Sequence, residues 1–103
     1  MPLSESADAA RLAALRAGDE RTFAELVDEL SPRMLKLARV YLTGAALAEE
    51  AVQDAWIVVL ERLDRFEGRS SLSTWVLGIV VNVARARVVS SARSGHGAGG
   101  IAQ

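Results

Sequence analysis

The sequence predicts an all-α fold, a compact bundle of three to four helices, and three observations carry that prediction. Apolar residues recur at three- and four-residue spacing in every long segment, and no segment alternates with period two over a convincing length. Half of the 103 residues are hydrophobic while only 5% are aromatic, an Ala, Val and Leu bias that suits closely packed helices. Gly and Pro fall mainly in the gaps between periodic segments.

The first helix is expected over "ADAARLAALRAG", capped by Ser4 or Ser6 and stopped by Gly18. The second begins after Asp19 as N-cap and sets Phe23, Leu26, Val27 and Leu30 on one face. At Ser31-Pro32 two readings stand. Either a new helix starts with Ser31 as cap and Pro32 in the first position, or one helix continues with a kink. Met34, Leu35, Leu37, Ala38, Tyr41 and Leu42 then give a wide apolar face up to Gly44.

The third helix, about residues 46–63, is expected to turn Leu47, Ala48, Ala51, Val52, Ala55, Trp56, Val59, Leu60 and Leu63 inward. After the break "DRFEGRSS" a fourth runs from about 72 to 90, capped by Ser71 or Ser73. Residues 1–90 thus form one helical domain, and the glycine-rich 91–103 reads as a flexible linker or tail.

Composition excludes several classes of function. Without cysteine there is neither a disulfide framework nor a thiolate metal site, and the cytoplasm is the expected compartment. The longest unbroken apolar run, Trp75 to Val81, is far short of the ~20 residues of a membrane span, and the N-terminus shows no signal-peptide pattern. The single histidine, His96, lies in the glycine-rich tail, where nothing would hold it for acid–base work. Glu49 and Glu50 are adjacent and splay about 100° apart on a helix rather than converging. No cofactor, metal or small-molecule substrate is implied, and a binding module fits better than an enzyme.

Two surfaces are candidates for that binding. Residues 1–50 carry nine acidic and six basic groups, whereas from Gly68 onward there are four arginines and no acid. On the third helix Glu50, Gln53 and Asp54 fall at i, i+3 and i+4, where they share a face. On the fourth, Thr74, Gly78, Asn82 and Arg85 make a polar or small stripe along an otherwise apolar cylinder. The preceding loop adds Phe66, Gly68 for a tight bend, Arg69 to meet phosphate, and the Ser70, Ser71 and Ser73 hydroxyls to bond bases or backbone. Trp75 is either a core residue or a stacking face. Asn82 is either exposed on the stripe or bonded to a neighbouring helix, because a buried amide needs a partner.

The order and spacing of E-E-x-x-Q-D-x-W (49–56), F-x-G-x-S-x-x-x-T-W (66–75) and I-x-x-N (79–82) resemble region 2 of bacterial RNA polymerase sigma factors, in particular the extracytoplasmic-function group. The likeness covers about residues 10–90. It implies a transcription initiation domain that binds core RNA polymerase and recognises and helps melt the promoter minus-ten element. Glu50, Gln53 and Asp54 match positions that grip the clamp helices of the polymerase's largest subunit. The loop from Phe66 to Thr74, with Trp75, matches the element that receives a base flipped from the minus-ten DNA. Asn82 matches a polar position that helps open or read the duplex, and Arg85 and Arg87 would contact phosphates.

An anti-sigma factor is a further expected partner. The sequence departs from the family where Gly78 and Val81 replace residues that are often basic, and where Leu47 replaces a frequent aspartate. It also carries no second domain of the kind that reads the minus-thirty-five element, so it reads as an excised domain or a naturally short chain. The departures at Gly78 and Val81 keep a second reading open, a helical adaptor or decoy that binds a regulator without DNA.

Overall fold

Two rows of apolar residues at strict four-residue spacing organise the chain: Leu26, Leu30, Met34 and Ala38 in one helix, and Leu72, Val76, Val80 and Ala84 in another. All eight are fully buried. The computed structural model describes the backbone of residues 2–102 and the side chains of residues 7–90. Its elements are α1 (Pro2–Arg16), α2 (Glu20–Tyr41), α3 (Ala45–Arg62), a 3-10 turn (Leu63–Arg65) and α4 (Leu72–Ala102). Among the described residues there is no strand.

Helix α4 packs on both α2 and α3, α2 packs on α3, and α1 lies against α2 and the 3-10 turn. Rows at i, i+4 form the ridges by which helices interdigitate, so the two rows are the natural contact surfaces of α2 and α4. Helix α3 contributes small buried residues, Ala48, Ala51 and Ala55, that let its neighbours approach, together with Val52, Trp56 and Val59. Each fully buried Leu, Met or Val stabilises the fold by roughly 1.5–3 kcal/mol against remaining in water.

The ends of the elements follow local chemistry. The Asp19 carboxylate accepts from the N–H groups of Arg21 (3.0 Å) and Thr22 (3.3 Å), as expected for the N-cap of α2. Gly18 takes φ +83°, a left-handed conformation that lets α1 turn into that cap. The Ser71 hydroxyl accepts from the Thr74 N–H at 3.1 Å and caps α4, which selects Ser71 over Ser73. Of the serines expected to cap α1, the side chains of Ser4 and Ser6 lie outside the described residues; α4, expected to end near residue 90, continues to Ala102 through most of the stretch read as a linker, whose side chains lie outside the described residues.

At Ser31-Pro32 the chain continues as one helix, with Pro32 inside α2. Ser31 is no cap. Its hydroxyl instead accepts from the indole Nε1–H of Trp56 at 3.0 Å, giving a buried ring's polar edge a partner. The same ring meets Phe23 edge-on, with centroids 5.5 Å apart and planes at 83°.

Two residues expected on the inner face of α3 are not there. Leu60 is 53% exposed and Leu47 38%, and Tyr41 at the end of α2 is 40% exposed. Three-residue spacing makes a stripe wider than one neighbour covers, and its edges stay wet. Leu72–Ser90 is by length and composition apolar enough to cross a membrane, although no run within it is. It carries the buried ridge on one side and exposed Asn82 and Arg85 on another, which is the arrangement of a core helix rather than a lipid-facing one.

Ser31→Ala removes the one partner that the described residues give the Trp56 indole. Urea denaturation should show a loss of about 1–2 kcal/mol, with an unchanged helical circular dichroism spectrum.

Candidate nucleic-acid interface

The loop between the 3-10 turn and α4 is shaped by Gly68, whose φ of +76° is closed to most side-chain-bearing residues. The bend brings Phe66 beside Trp75, ring centroids 4.6 Å apart and planes inclined by 31°. Both rings are half-buried and packed against the core, so one face of the pair is anchored. Trp75 is therefore both things the sequence allowed, a core-edge residue and an aromatic surface.

Around this pair lies an open pocket of about 210 Å³, lined by Arg65, Phe66, Glu67, Arg69, Ser70 and Trp75. It is smaller than the roughly 300–1,000 Å³ of sites that enclose drug-sized ligands, and fits a single planar group. Arg69 Nη2 meets Glu67 Oε1 at 3.0 Å, but the two side chains are 89% and 68% exposed. A pair so wet is worth little, and a phosphate can replace the carboxylate. Ser70 donates to the Ser71 carbonyl (3.1 Å) and Ser71 to the Thr74 hydroxyl (2.9 Å), so these hydroxyls order the loop in the free protein. Arg65 belongs to this pocket but was not singled out from sequence; its only signal was a cation directly before Phe66.

The stripe on α4 is where the spacing put it. Thr74, Gly78, Asn82 and Arg85 are all exposed, which decides for Asn82 as a surface group. A Cβ built on Gly78 meets nothing within 4 Å, so a side chain there would project into open space.

The acidic face is divided. Arg87, expected to be a phosphate contact, lies between α3 and α4, its Nη1 3.1 Å from Glu50 Oε1 and its Nη2 bonded to Asp54 Oδ2. Its pKa is held above the ordinary arginine value chiefly by the hydrogen bond to Asp54. Gln53 does not join them. It lines, with Glu49, a groove of about 490 Å³ between α2 and α3 whose other walls include Ser31, Pro32, Leu35 and Val52. On the far side of Asp54 and Arg87 a second groove of about 540 Å³ runs along Ile57, Val58, Val83 and Ala86. Its wall residue Ile57 is 54% exposed and neighbours the equally exposed Leu60. That apolar patch was hidden in the sequence by the assumption that Leu60 faces inward.

The geometry can be set beside proteins of known family. Residues 26–94 match the family model described as sigma-70 region 2. RNA polymerase sigma-H factor of Pseudomonas aeruginosa is 29% identical over 88% of this chain and 47% of its own length. The ECF RNA polymerase sigma-E factor of Escherichia coli is 30% identical over 77% of this chain and 41% of its own. The chain thus spans less than half the length of these curated relatives. An NMR structure of an engineered region 2 of sigmaE in complex with GTAAAA superimposes with a TM-score of 0.75, at 28% identity, covering 84% of this chain and 90% of that one.

The bridge from α4 to the acidic face is measurable. A double-mutant cycle of Arg87→Ala with Asp54→Ala should give a coupling of about 0.5–1 kcal/mol in 0.1 M salt, falling by half or more in 1 M NaCl, since both groups are partly solvated.

Proposed function

The chain belongs to the sigma-70 region 2 family, and on that footing we propose that residues 1–90 dock on core RNA polymerase and recognise and help melt the promoter minus-ten element. The observation that carries this reading is the pocket floored by the Phe66–Trp75 pair and rimmed by Arg65, Arg69 and Ser70. Extracting a base from a stacked strand costs a few kcal/mol, which an aromatic surface in a small pocket can repay and phosphate contacts alone cannot.

The roles divide by surface. Phe66 and Trp75 stack on the captured base, while Ser70, Ser71, Ser73 and Thr74 shape the pocket's edge. Asn82 reads or holds the strand along the exposed stripe. Arg69 and Arg85 meet phosphates. Arg87 does so only after leaving Glu50 and Asp54, and in the free domain it holds the acidic face in register with α4. Glu50, Gln53 and Asp54 face the polymerase's clamp helices, with the exposed Ile57 and Leu60 supplying apolar contact beside them. An anti-sigma factor covering the same acidic and apolar ground would compete with polymerase. The role is non-catalytic and belongs in the cytoplasm, where polymerase is.

Gly78 favours one alternative. A stripe with open space where a cation could stand suits a helical adaptor or decoy that binds a regulator and leaves DNA alone.

Docking is tested by charge reversal. Glu50→Lys with Asp54→Lys should abolish retention on immobilised core polymerase, and adding Arg87→Glu should restore the internal pairing without restoring retention. A triple variant that binds like the parent sinks the docking assignment.

DNA binding is read by fluorescence anisotropy on labelled single strands, beginning with GTAAAA. Arg69→Ala and Asn82→Ala should weaken binding by about three- to tenfold each. Gly78→Arg should strengthen it and steepen the log K against log[salt] slope by about 0.7, the value of one added phosphate contact on a single strand. If no strand binds the parent, and Gly78→Arg creates no binding either, the decoy reading stands.

A further inference from the structure

Asp8 and Arg16, both on α1, each hold the backbone at one end of the loop that carries the aromatic pocket. The Arg16 guanidinium donates to the Leu63 carbonyl from Nε (3.2 Å) and Nη2 (3.0 Å), and from Nη2 to the Phe66 carbonyl (2.6 Å). These carbonyls lie just past α3, where a helix runs out of internal donors and its dipole is negative, so a cation suits them. At the other end, Asp8 Oδ2 accepts the Leu72 N–H at 2.8 Å. Leu72 opens α4, where orphan N–H groups and the positive end of the dipole suit an anion.

The two anchors are eight residues apart, or about 12 Å along α1 at the helical rise of ~1.5 Å per residue. Helix α1 is itself fixed. Leu15 is buried in the core, Leu12 packs against it, and Arg11 pairs with Glu29 of α2 at 3.1 Å. The loop's own devices, the Gly68 bend and the Ser71 cap, shape it locally but tie neither end to the rest of the domain. Asp8 and Arg16 also lie outside the stretch matched by the family model, 26–94.

We infer that Asp8 and Arg16 are positioning residues: α1 is a brace that sets the two ends of the loop so that Phe66, Trp75 and Arg69 stand ready for an unstacked nucleic-acid base. The inference rests on the nucleic-acid reading above for its consequence, though not for its geometry. A loop held in its bound shape avoids the ordering cost that a free loop would meet on binding. Neither residue touches the ligand; each acts through backbone groups at the pocket's margins.

The test uses the full chain with Arg16→Ala, Arg16→Lys, Asp8→Ala and Asp8→Asn. Without DNA, NMR reads the Phe66–Trp75 ring contacts and hydrogen exchange at the Leu72 amide. With labelled GTAAAA, anisotropy reads affinity, and urea denaturation reads global stability. The alanine variants should lose Leu72 protection or the ring contacts and bind the strand about five- to tenfold more weakly, beyond what their stability change accounts for. Asp8→Asn keeps an acceptor and Arg16→Lys keeps a cation, and each should recover most of the loss.

Alanine variants that retain parental ring contacts and Leu72 protection overturn the brace, as do Lys and Asn variants no better than Ala. If the parent itself does not bind the strand, the nucleic-acid reading fails, while loop order in the DNA-free spectra still decides whether α1 is the brace.

Discussion

Burying one ridge of α4 while keeping its opposite side wet is the constraint on which the rest of the structure depends. Leu72, Val76, Val80 and Ala84 disappear completely into the bundle, and Thr74, Gly78, Asn82 and Arg85 remain at the surface of the same helix. A chain of this size has one core, so α4 must pack on both α2 and α3 to be covered, and α3 must be small-faced to admit it. The orientation this forces on α4 decides which edge is offered to a ligand. It also places the start of the helix, and with it Trp75, beside the end of α3.

Backbone accounting explains the loop. A helix that ends at Arg62 and another that begins at Leu72 leave carbonyls and N–H groups without helical partners. Here they are met by a cation and an anion from a helix distant in sequence. Rigid aromatic geometry at 66–75 is thus maintained by polar groups at 8 and 16, and the pocket's shape becomes a tertiary property rather than a property of its own residues. The Arg87 bridge does a similar job on the opposite side of α4, joining the acidic face to the helix that carries the stripe. Loss of either tie would be felt on a binding surface before it was felt in the core.

The binding surfaces differ in what holds them. At the Phe66–Trp75 end the pocket is small, aromatic and set by hydrogen bonds, so it selects shape. On the acidic side the groups are partly solvated and paired, with exposed Ile57 and Leu60 close by. Such a mixture of rim charge and central apolar area suits a protein partner, in which charge speeds encounter and apolar burial holds the complex.

What the sequence determined by itself was whatever depends on neighbours within a few residues: the helical segments, the Asp19 cap, and the register that puts Thr74, Gly78, Asn82 and Arg85 on one stripe, while the choice of Ser71 over Ser73 and the exposure of Asn82 waited for the packed structure. Periodicity and capping are local, and they can be read from one strand of text. It left Ser31-Pro32 undecided, and it put Leu47 and Leu60 inside. The tertiary structure alone decided those points, because a Trp56 indole needing an acceptor came to Ser31, and because no neighbour covered the edges of the α3 stripe. It alone brought Arg87 to Glu50 and Asp54, and Asp8 and Arg16 to the loop's ends. Charges and unpaired backbone groups act over a few ångströms of space, and which residues lie that close is known only once the helices are packed.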